Sequence, residues 1–516
     1  MIPLQSPGPE RFHWLRSFLR DAGFTEPDLC ARLKIRNLGE LKPAGAEREP
    51  ERLESACSVL IHLFLDREPA DAKTVQARLG TEAAGLLAEF GLLRAHPSNQ
   101  DACLSTVMLY PLYGLYIASD RDWEPETGRG NLPRSDAVYL AITPNAYDYL
   151  AALPTSPCDE FLDLCSGAGI SAMIAARDYA KSATACDILE RCTGFAAWSA
   201  RLNGVTNLEG ITGNLYDPLP GRSFDRIVAH PPYVPSEARV HIFRDGGTDG
   251  EQVTRGIIEG LPAALRPGGQ CHITAAFADR RDAPVETRLR AMLGTHESEF
   301  DVFVAVRRSI TLQDFFQTEA AAERAREGGI DSFAYCSIGL QRRATPRPVF
   351  TIRRNLPKVA GPMVEWLLRW EAMHREPGFG ARLLRERLTT AEDVRLNVVH
   401  ELKARKWVPS GATIAAGRPF PVEEGCPPWV SALLELSDGR AAVRDALETL
   451  KARGVIPPQA SGVEFARMVQ ILISSGFLEI GSHRLPQGHP GLWHHGSYDS
   501  SAAAAENQSH PVQQLS

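Results

Sequence analysis

The chain has 516 residues, 44% of them hydrophobic, and a formal net charge of −7. That length holds two or three domains with full cores. The acidic balance does not advertise nucleic acid, although a local basic patch stays open, and no apolar stretch is long enough to cross a membrane. The first residues are charged and proline-containing, without the apolar run of a secretion signal. Ten cysteines are scattered with no Cys-x-x-Cys pair. Reduced, mostly buried thiols and a cytoplasmic location are therefore expected.

Residues 1–130 read as an N-terminal helical, winged-helix-like domain. Leu53–Leu65 is a strongly apolar helix, Thr74–Leu79 and Glu82–Phe90 are two short helices, and a strand pair follows around Leu104–Leu109 and Leu112–Ala118. Acids outnumber bases here and no basic recognition helix is evident, so nucleic-acid binding is the minority reading. In residues 131–158, Thr143-Pro144 opens a helix with proline in its first turn. Residues 159–340 alternate strand and helix: strands at 160–164, 183–187, 208–212, 224–229, 269–276, 299–306 and 332–340, with helices at 170–180, 190–203, 249–264 and 284–294. This spacing predicts an α/β, Rossmann-like, seven-stranded sheet, mainly parallel, with the last strand antiparallel. A charged helix is expected over 312–328. Residues 341–360 form a basic linker carrying Arg342, Arg343, Arg347, Arg353, Arg354 and Lys358, read as solvated rather than as a phosphate-binding strip. Residues 361–481 form a C-terminal α+β, winged-helix-like domain without a catalytic constellation. Residues 482–516 read as a disordered polar tail, and its histidines, His483 among them, are not expected to hold a metal.

The chemistry concentrates in three places. Phe161-Leu162-Asp163-Leu164-Cys165-Ser166-Gly167-Ala168-Gly169 is an apolar run ending in an acid, then a small-residue turn into a helix. This is the nucleotide-binding end of a Rossmann-like sheet, where a Cβ would block a ligand's approach to the backbone. Ala183–Asp187 ends a second strand in an acid placed to accept hydrogen bonds from ribose hydroxyls, or else to cap a helix. Ser223–Ala229 ends in His230-Pro231-Pro232-Tyr233, a stiff turn whose carbonyls point outward.

These segments resemble the HemK/PrmC-type release-factor glutamine methyltransferases, within the S-adenosylmethionine (SAM)-dependent methyltransferases of the small-domain superfamily. Asp163–Gly169 is similar to the family's SAM turn, Gly213–Leu219 to its third motif, and His230-Pro231-Pro232-Tyr233 to its Asn-Pro-Pro-Tyr signature. Asp245-Gly246-Gly247-Thr248-Asp249-Gly250 resembles its glycine stretch, and Asp136–Tyr139 its entry segment. The resemblance covers roughly residues 131–340. It departs at two positions, where the signature's asparagine is His230 and the third-motif acid is Asn214.

The resemblance implies a class I methyltransferase core with SAM held across Asp163, Cys165, Gly167, Gly169, Asp187 and Asn214. It assigns His230, Pro231, Pro232 and Tyr233 to catalysis, with no metal. It implies methyl transfer to a planar amino or amide nitrogen, foremost a protein glutamine. An RNA base or a small molecule is the alternative acceptor, and a non-catalytic binding protein the least favoured reading. The expected partner is a protein substrate, or else RNA, and not a membrane. Oligomeric state is open. His230 can serve as a hydrogen-bond acceptor in place of the asparagine, or as a general base.

Overall fold

A computed structural model describes residues 2–42, 47–121, 135–236, 241–316 and 318–485, with the backbone of 123–124 and 129–130. Two compact units emerge. The first runs to Arg343 and takes in Ile352–Pro357. The second comprises Ala344–Thr351 and the described residues from Lys358 onward. The boundary expected at residue 130 has no counterpart in this division, and His489, His494, His495 and His510 of the expected tail lie outside the described residues.

The first unit is built on an eight-stranded sheet. Its strands are β1 (Cys158–Leu164), β2 (Ala180–Asp187), β3 (Leu208–Thr212), β4 (Phe224–Ala229), β5 (Leu265–Arg280), β6 (Phe300–Thr311), β7 (Ile330–Arg342) and β8 (Thr351–Asn355). They lie in the order β3-β2-β1-β4-β5-β7-β6-β8. The β3 to β5 half is parallel, while β7 runs antiparallel between β5 and β6. The expected seven strands are present, with the antiparallel one in place. The order reverses between β1 and β4, and ligands in open α/β sheets bind at such a switch, beyond the strands' carboxyl ends. The glycine turn leaves β1 and the Pro-Pro-Tyr turn leaves β4, so both open onto it.

The eighth strand corrects the linker expectation. Residues 351–355 are a strand, Arg353 pairs with Asp279 at 3.1 Å and Glu286 at 3.2 Å, and Arg342 pairs with Glu299 at 2.8 Å. Two cations of the basic cluster are therefore bound to acids of the same unit.

The helices that shape the site are α1 (Pro144–Ala151), α2 (Ile170–Asp178), α3 (Glu190–Asn203), α4 (Gln252–Ala264) and α5 (Val285–Met292). Arg307 of β6 holds α1, pairing with the Asp148 carboxylate at 2.6 Å and donating to its carbonyl at 2.9 Å. The charged helix expected over 312–328 divides into Leu312–Phe315 and Glu319–Glu327, the second capped by the Thr318 side chain.

The N-terminal region has the winged-helix order of helix, strand, two helices and two strands. Helix Ala56–Leu60 runs on as a wider π turn through Leu65. Then come strand Ala70–Asp71, helices Ala72–Leu79 and Thr81–Glu89, and strands Leu93–His96 and Asn99–Ser105. A separate hairpin, Met108–Leu112 with Leu115–Ser119, turns at Tyr113 and Gly114, both at positive φ. Helices Pro9–Asp21 and Glu26–Leu33 were not anticipated, although Pro9, the spacing of Phe12, Leu15 and Leu19, and the Thr25 cap are ordinary helix signals. Phe12 and Phe90 pack edge-on to Trp198 of α3 at 5.6 and 5.9 Å. The N-terminal region and the sheet's α2–α3 side thus share one hydrophobic core.

In the second unit, helix Pro428–Leu436, strand Asp438–Ala442, helices Val443–Ala452 and Gly462–Ser474, and strand Leu478–Ile480 give a winged-helix-like order. Arg387–Thr390 is the central strand of its sheet. His483, expected in the polar tail, is instead buried against Trp366 and Trp370, with ring centroids 4.7 and 5.4 Å apart. That apolar contact outweighs the polar composition around it. Burial holds its imidazole neutral, at a pKa of about 4.

Candidate functional site

The glycine turn is fixed by its own backbone. Cys165, Gly167 and Gly169 all have positive φ, of 56°, 53° and 75°. At Gly169 a Cβ would lie 2.6 Å from the Ala196 Cβ, so glycine here lets the turn pack on α3. At Gly167 a Cβ would meet nothing within 4 Å. The two glycines therefore do different work, one packing against protein and the other leaving open space above the turn. Gly169→Ala is expected to cost about 1–3 kcal/mol through overlap and strain together. Gly167→Ala should cost about 1 kcal/mol, from backbone strain alone. Urea midpoints of the two variants check the difference.

Asp187, at the end of β2, ties this turn to the next. One carboxylate oxygen accepts from the Gly167 N–H at 2.9 Å and the other from the Leu189 N–H at 3.0 Å. Its carbonyl accepts from the Gly213 N–H at 2.9 Å. Burial raises its pKa, opposed by those N–H groups. A carboxylate has further lone pairs, so ribose hydroxyls can still be accepted. Asn214 follows Gly213; its side chain is exposed and donates to Asp217 at 3.2 Å.

Asp163, next to last in β1, is buried. It accepts from the Ser171 hydroxyl and, at 3.3 Å, from the Ala172 N–H in the first turn of α2. Burial still pushes its carboxyl up to about 7. Cys165 stays a thiol, because burial and then the neighbouring Asp187 raise its pKa well above normal.

The His230–Tyr233 turn leaves β4 into an aromatic stack. The His230 ring lies 5.1 Å from Tyr149 at 25° and 6.0 Å from Tyr233 at 29°. Its Nε2 is closed off from solvent and has no hydrogen-bond partner among the described residues. Burial lowers the imidazole pKa to about 4, so the ring is neutral at physiological pH. Among the described residues the Pro231 carbonyl accepts no hydrogen bond. Tyr233 is edge-on to Tyr335 at 6.0 Å, and its hydroxyl accepts from Asn145 Nδ2 at 3.4 Å. Arg308 completes this rim, lying 5.1 Å over the Tyr335 ring and donating to Asn145 Oδ1 at 3.2 Å.

The stretch 245–250 clamps the turn from outside. Gly246 N–H donates to the Val234 carbonyl, and Val234 N–H to the Arg244 carbonyl, at 2.8 and 2.9 Å. A Cβ on Gly246 would sit 2.7 Å from the Pro232 carbonyl, and one on Gly250 2.5 Å from the Tyr233 carbonyl. Glycine is required there by this close approach.

The structure thus gathers Asp163, Cys165, Gly167 and Gly169 at the end of β1 and Asp187 at the end of β2, with His230, Pro231, Pro232 and Tyr233 after β4 on the other side of β1. Tyr149 bridges the two groups, its ring on His230 and its hydroxyl 3.4 Å from the Ser171 hydroxyl that serves Asp163. Tyr149, Asn145, Ser171, Arg308 and Tyr335 were missed from the sequence. The helix opened by Thr143-Pro144 was the one local signal, and it pointed to the segment without picking out the residues.

A Rossmann-like sheet with a glycine turn at its switch point places this domain among the nucleotide-binding α/β folds. Residues 148–301 match the family model of the methyltransferase small domain. Over 161 residues the chain is 32% identical to the ribosomal protein uL3 glutamine methyltransferase of Bradyrhizobium diazoefficiens, covering 28% of this chain and 50% of that protein. Over 121 residues it is 33% identical to the release factor glutamine methyltransferase of Gloeobacter violaceus, covering 21% and 42%. The chain spans half or less of the length of these relatives. Among solved structures, P. horikoshii TYW2 in complex with MeSAdo aligns with 46% of this chain and 72% of its own, at 16% identity and a TM-score of 0.31.

Proposed function

We propose that the first unit is a SAM-dependent methyltransferase acting on a planar amino or amide nitrogen, foremost the side-chain amide of a protein glutamine. One observation carries the choice of acceptor: the buried His230 Nε2, its ring between the faces of Tyr149 and Tyr233, and the neighbouring Pro231 carbonyl both lack a hydrogen-bond partner among the described residues. Two acceptors beside the Tyr233 ring suit an NH2 group, which has two hydrogens to donate and a planar body to stack.

The open space above Gly167, with Asp187 bound to its N–H, fits a nucleoside laid close to the turn. Asp163, Cys165, Gly167, Gly169, Asp187 and Asn214 would hold it. SAM supplies, when bound, an activated methyl group on a sulfonium. Neutral His230 and the Pro231 carbonyl would take the two N–H hydrogens and so turn the nitrogen lone pair toward the donor. Tyr233 would hold the plane of the acceptor, itself positioned by Asn145. Tyr149 and Tyr335 would exclude water. The two curated relatives named above are glutamine methyltransferases, which supports glutamine. An RNA base is the second reading. Arg308, exposed at the rim and over Tyr335, is placed to meet a phosphate, and Tyr233 to stack a base.

The histidine separates an acceptor role from a base role. An imidazole with a pKa of about 4 is a weak base at neutral pH, which favours the acceptor role. His230→Asn should keep most of the activity. His230→Ala should lose roughly 5- to 150-fold, the ~1–3 kcal/mol of a hydrogen bond at the transition state. At saturating SAM the wild-type rate should stay flat down to about pH 5, because only protonation of Nε2 removes this acceptor. An Asn variant as inactive as Ala, with SAM binding intact, would move the methyl acceptor toward a hydroxyl. Calorimetry tests the cofactor directly: SAM should bind more tightly than NAD, and Asp187→Ala should weaken it by about 1–3 kcal/mol.

A further inference from the structure

We propose that a hairpin of the second unit, Arg395–Lys403 with Lys406–Ala416, docks an extended acidic and apolar segment of a partner protein by strand addition. In its three-stranded sheet Arg395–Lys403 is an edge strand, and all nine of its residues are exposed. Such an edge presents a row of backbone donors and acceptors ready for another strand.

The apolar residues are concentrated there too. Leu396, Val398, Val399, Leu402 and Trp407 are 45–70% exposed, five of the large hydrophobic side chains that the described residues leave in solvent. The cross-strand register pairs Leu396 with Ile414, Val398 with Ala412 and Leu402 with Trp407. The two-residue period of a strand puts Leu396, Val398 and Leu402 on one face. That face runs from buried Ile414 at the base to exposed Trp407 near the tip.

The tip supplies charge. Lys403-Ala404-Arg405-Lys406 turns through two residues at positive φ, 50° and 64°, a tight turn that brings three cations to the tip, of which Lys403 pairs with Glu401 at 3.1 Å. From 395 to 416, Arg395, Lys403, Arg405 and Lys406 against Glu401 give a net charge of +3, in a chain whose total is −7.

These features select the occupant. A second copy would set one +3 hairpin against another. RNA would use the cations and Trp407 but leave Leu396, Val398 and Leu402 without partners. An extended segment alternating apolar and acidic residues answers all three: its backbone pairs with the edge, its apolar side chains cover the exposed face, and its carboxylates meet the tip.

The test uses the full chain and a fluorescein-labelled ten-residue peptide of alternating valine and glutamate, read by fluorescence anisotropy. The peptide should bind, with affinity falling as salt rises. Hydrogen exchange at residues 395–403 should slow on binding. Lys403→Glu combined with Arg405→Glu, and separately Leu402→Ser combined with Trp407→Ser, should each weaken binding at least tenfold while thermal midpoints stay unchanged. A valine–lysine peptide should not bind. No binding of the valine–glutamate peptide overturns the proposal. So does Trp407-dependent binding of a uridine decamer in its place, attachment to vesicles containing phosphatidylserine in its place, or dimerisation of the chain through this edge.

Discussion

Replacing Arg191 with leucine is expected to lower the stability of the first unit by about 3–5 kcal/mol, the cost of leaving a buried charge without its partner. Arg191 lies in α3 with its side chain 7% exposed, and its guanidinium donates to both oxygens of Asp120, itself 11% exposed. Asp120 also accepts from the Val138 N–H at 2.8 Å. The pair therefore joins three segments: the strand end after Ser119, the entry segment and α3. Without Arg191, the Asp120 carboxylate would be left buried without this cation. The double variant Asp120→Asn with Arg191→Leu should recover part of the loss, because asparagine can still accept from Val138. Urea denaturation measures both variants, and a loss below about 1 kcal/mol for Arg191→Leu would mean that water reaches Asp120. The same anchor holds Tyr139, whose ring is stacked on Phe243 at 5.1 Å, beside the Val234–Asp245 bridge. A raised KM should therefore accompany the lost stability.

Asp163 gives the second large effect, and its sign is opposite to that of an ordinary salt-bridged acid. Its carboxyl titrates near 7 when folded and near 3.9 when unfolded. Between those values the folded chain binds the extra proton, so Asp163 stabilises least at high pH. Its contribution falls as pH rises from about 4 to 7 and is flat beyond. From pH 5 to pH 8 the wild-type protein should lose about 2–3 kcal/mol relative to Asp163→Asn, which keeps an oxygen for Ser171 and the Ala172 N–H. Denaturation of both proteins at the two pH values checks this, and a constant difference would contradict it. Under the proposed function, a cationic ligand beside Asp163 draws the proton off. SAM binding near pH 7 should then release protons, seen as a buffer-dependent binding enthalpy.

The sheet was legible because buried parallel strands carry continuous apolar runs, and here each ends in a marked residue: Asp163, Asp187 and His230. Turn chemistry made the two loops legible as well, since glycine and proline restrict the backbone locally. The eighth strand was not, because Thr351-Ile352-Arg353-Arg354-Asn355 is a charged edge with alternating exposure and reads like linker. The boundary expected at residue 130 failed to appear for a related reason. Trp198 and Phe195 look like ordinary core residues of α3, and nothing local shows that Phe12 and Phe90 complete that core. Within the site, the motif residues were readable and their supports were not. Tyr149 reaches His230 through the placement of α1 over the turn after β4, and Arg308 reaches Tyr335 through the β6–β7 register, and residues 81 and 27 positions apart share no sequence signal. His230 was readable as a departure, but its function depends on burial, which only the stack with Tyr149 and Tyr233 supplies.

The most direct measurement of the central claim is transfer of a tritiated methyl group. The purified chain is incubated with methyl-labelled SAM and a ribosome-and-factor fraction of cell lysate, and the products are divided between protease and RNase. The proposed function predicts label released by protease, resistant to RNase, and recovered after complete digestion as methylated glutamine. Label released by RNase would instead assign the site beside His230 and Tyr233 to a nucleobase. No transfer by a chain that binds SAM would contradict the claim that this site is a methyltransferase for such acceptors.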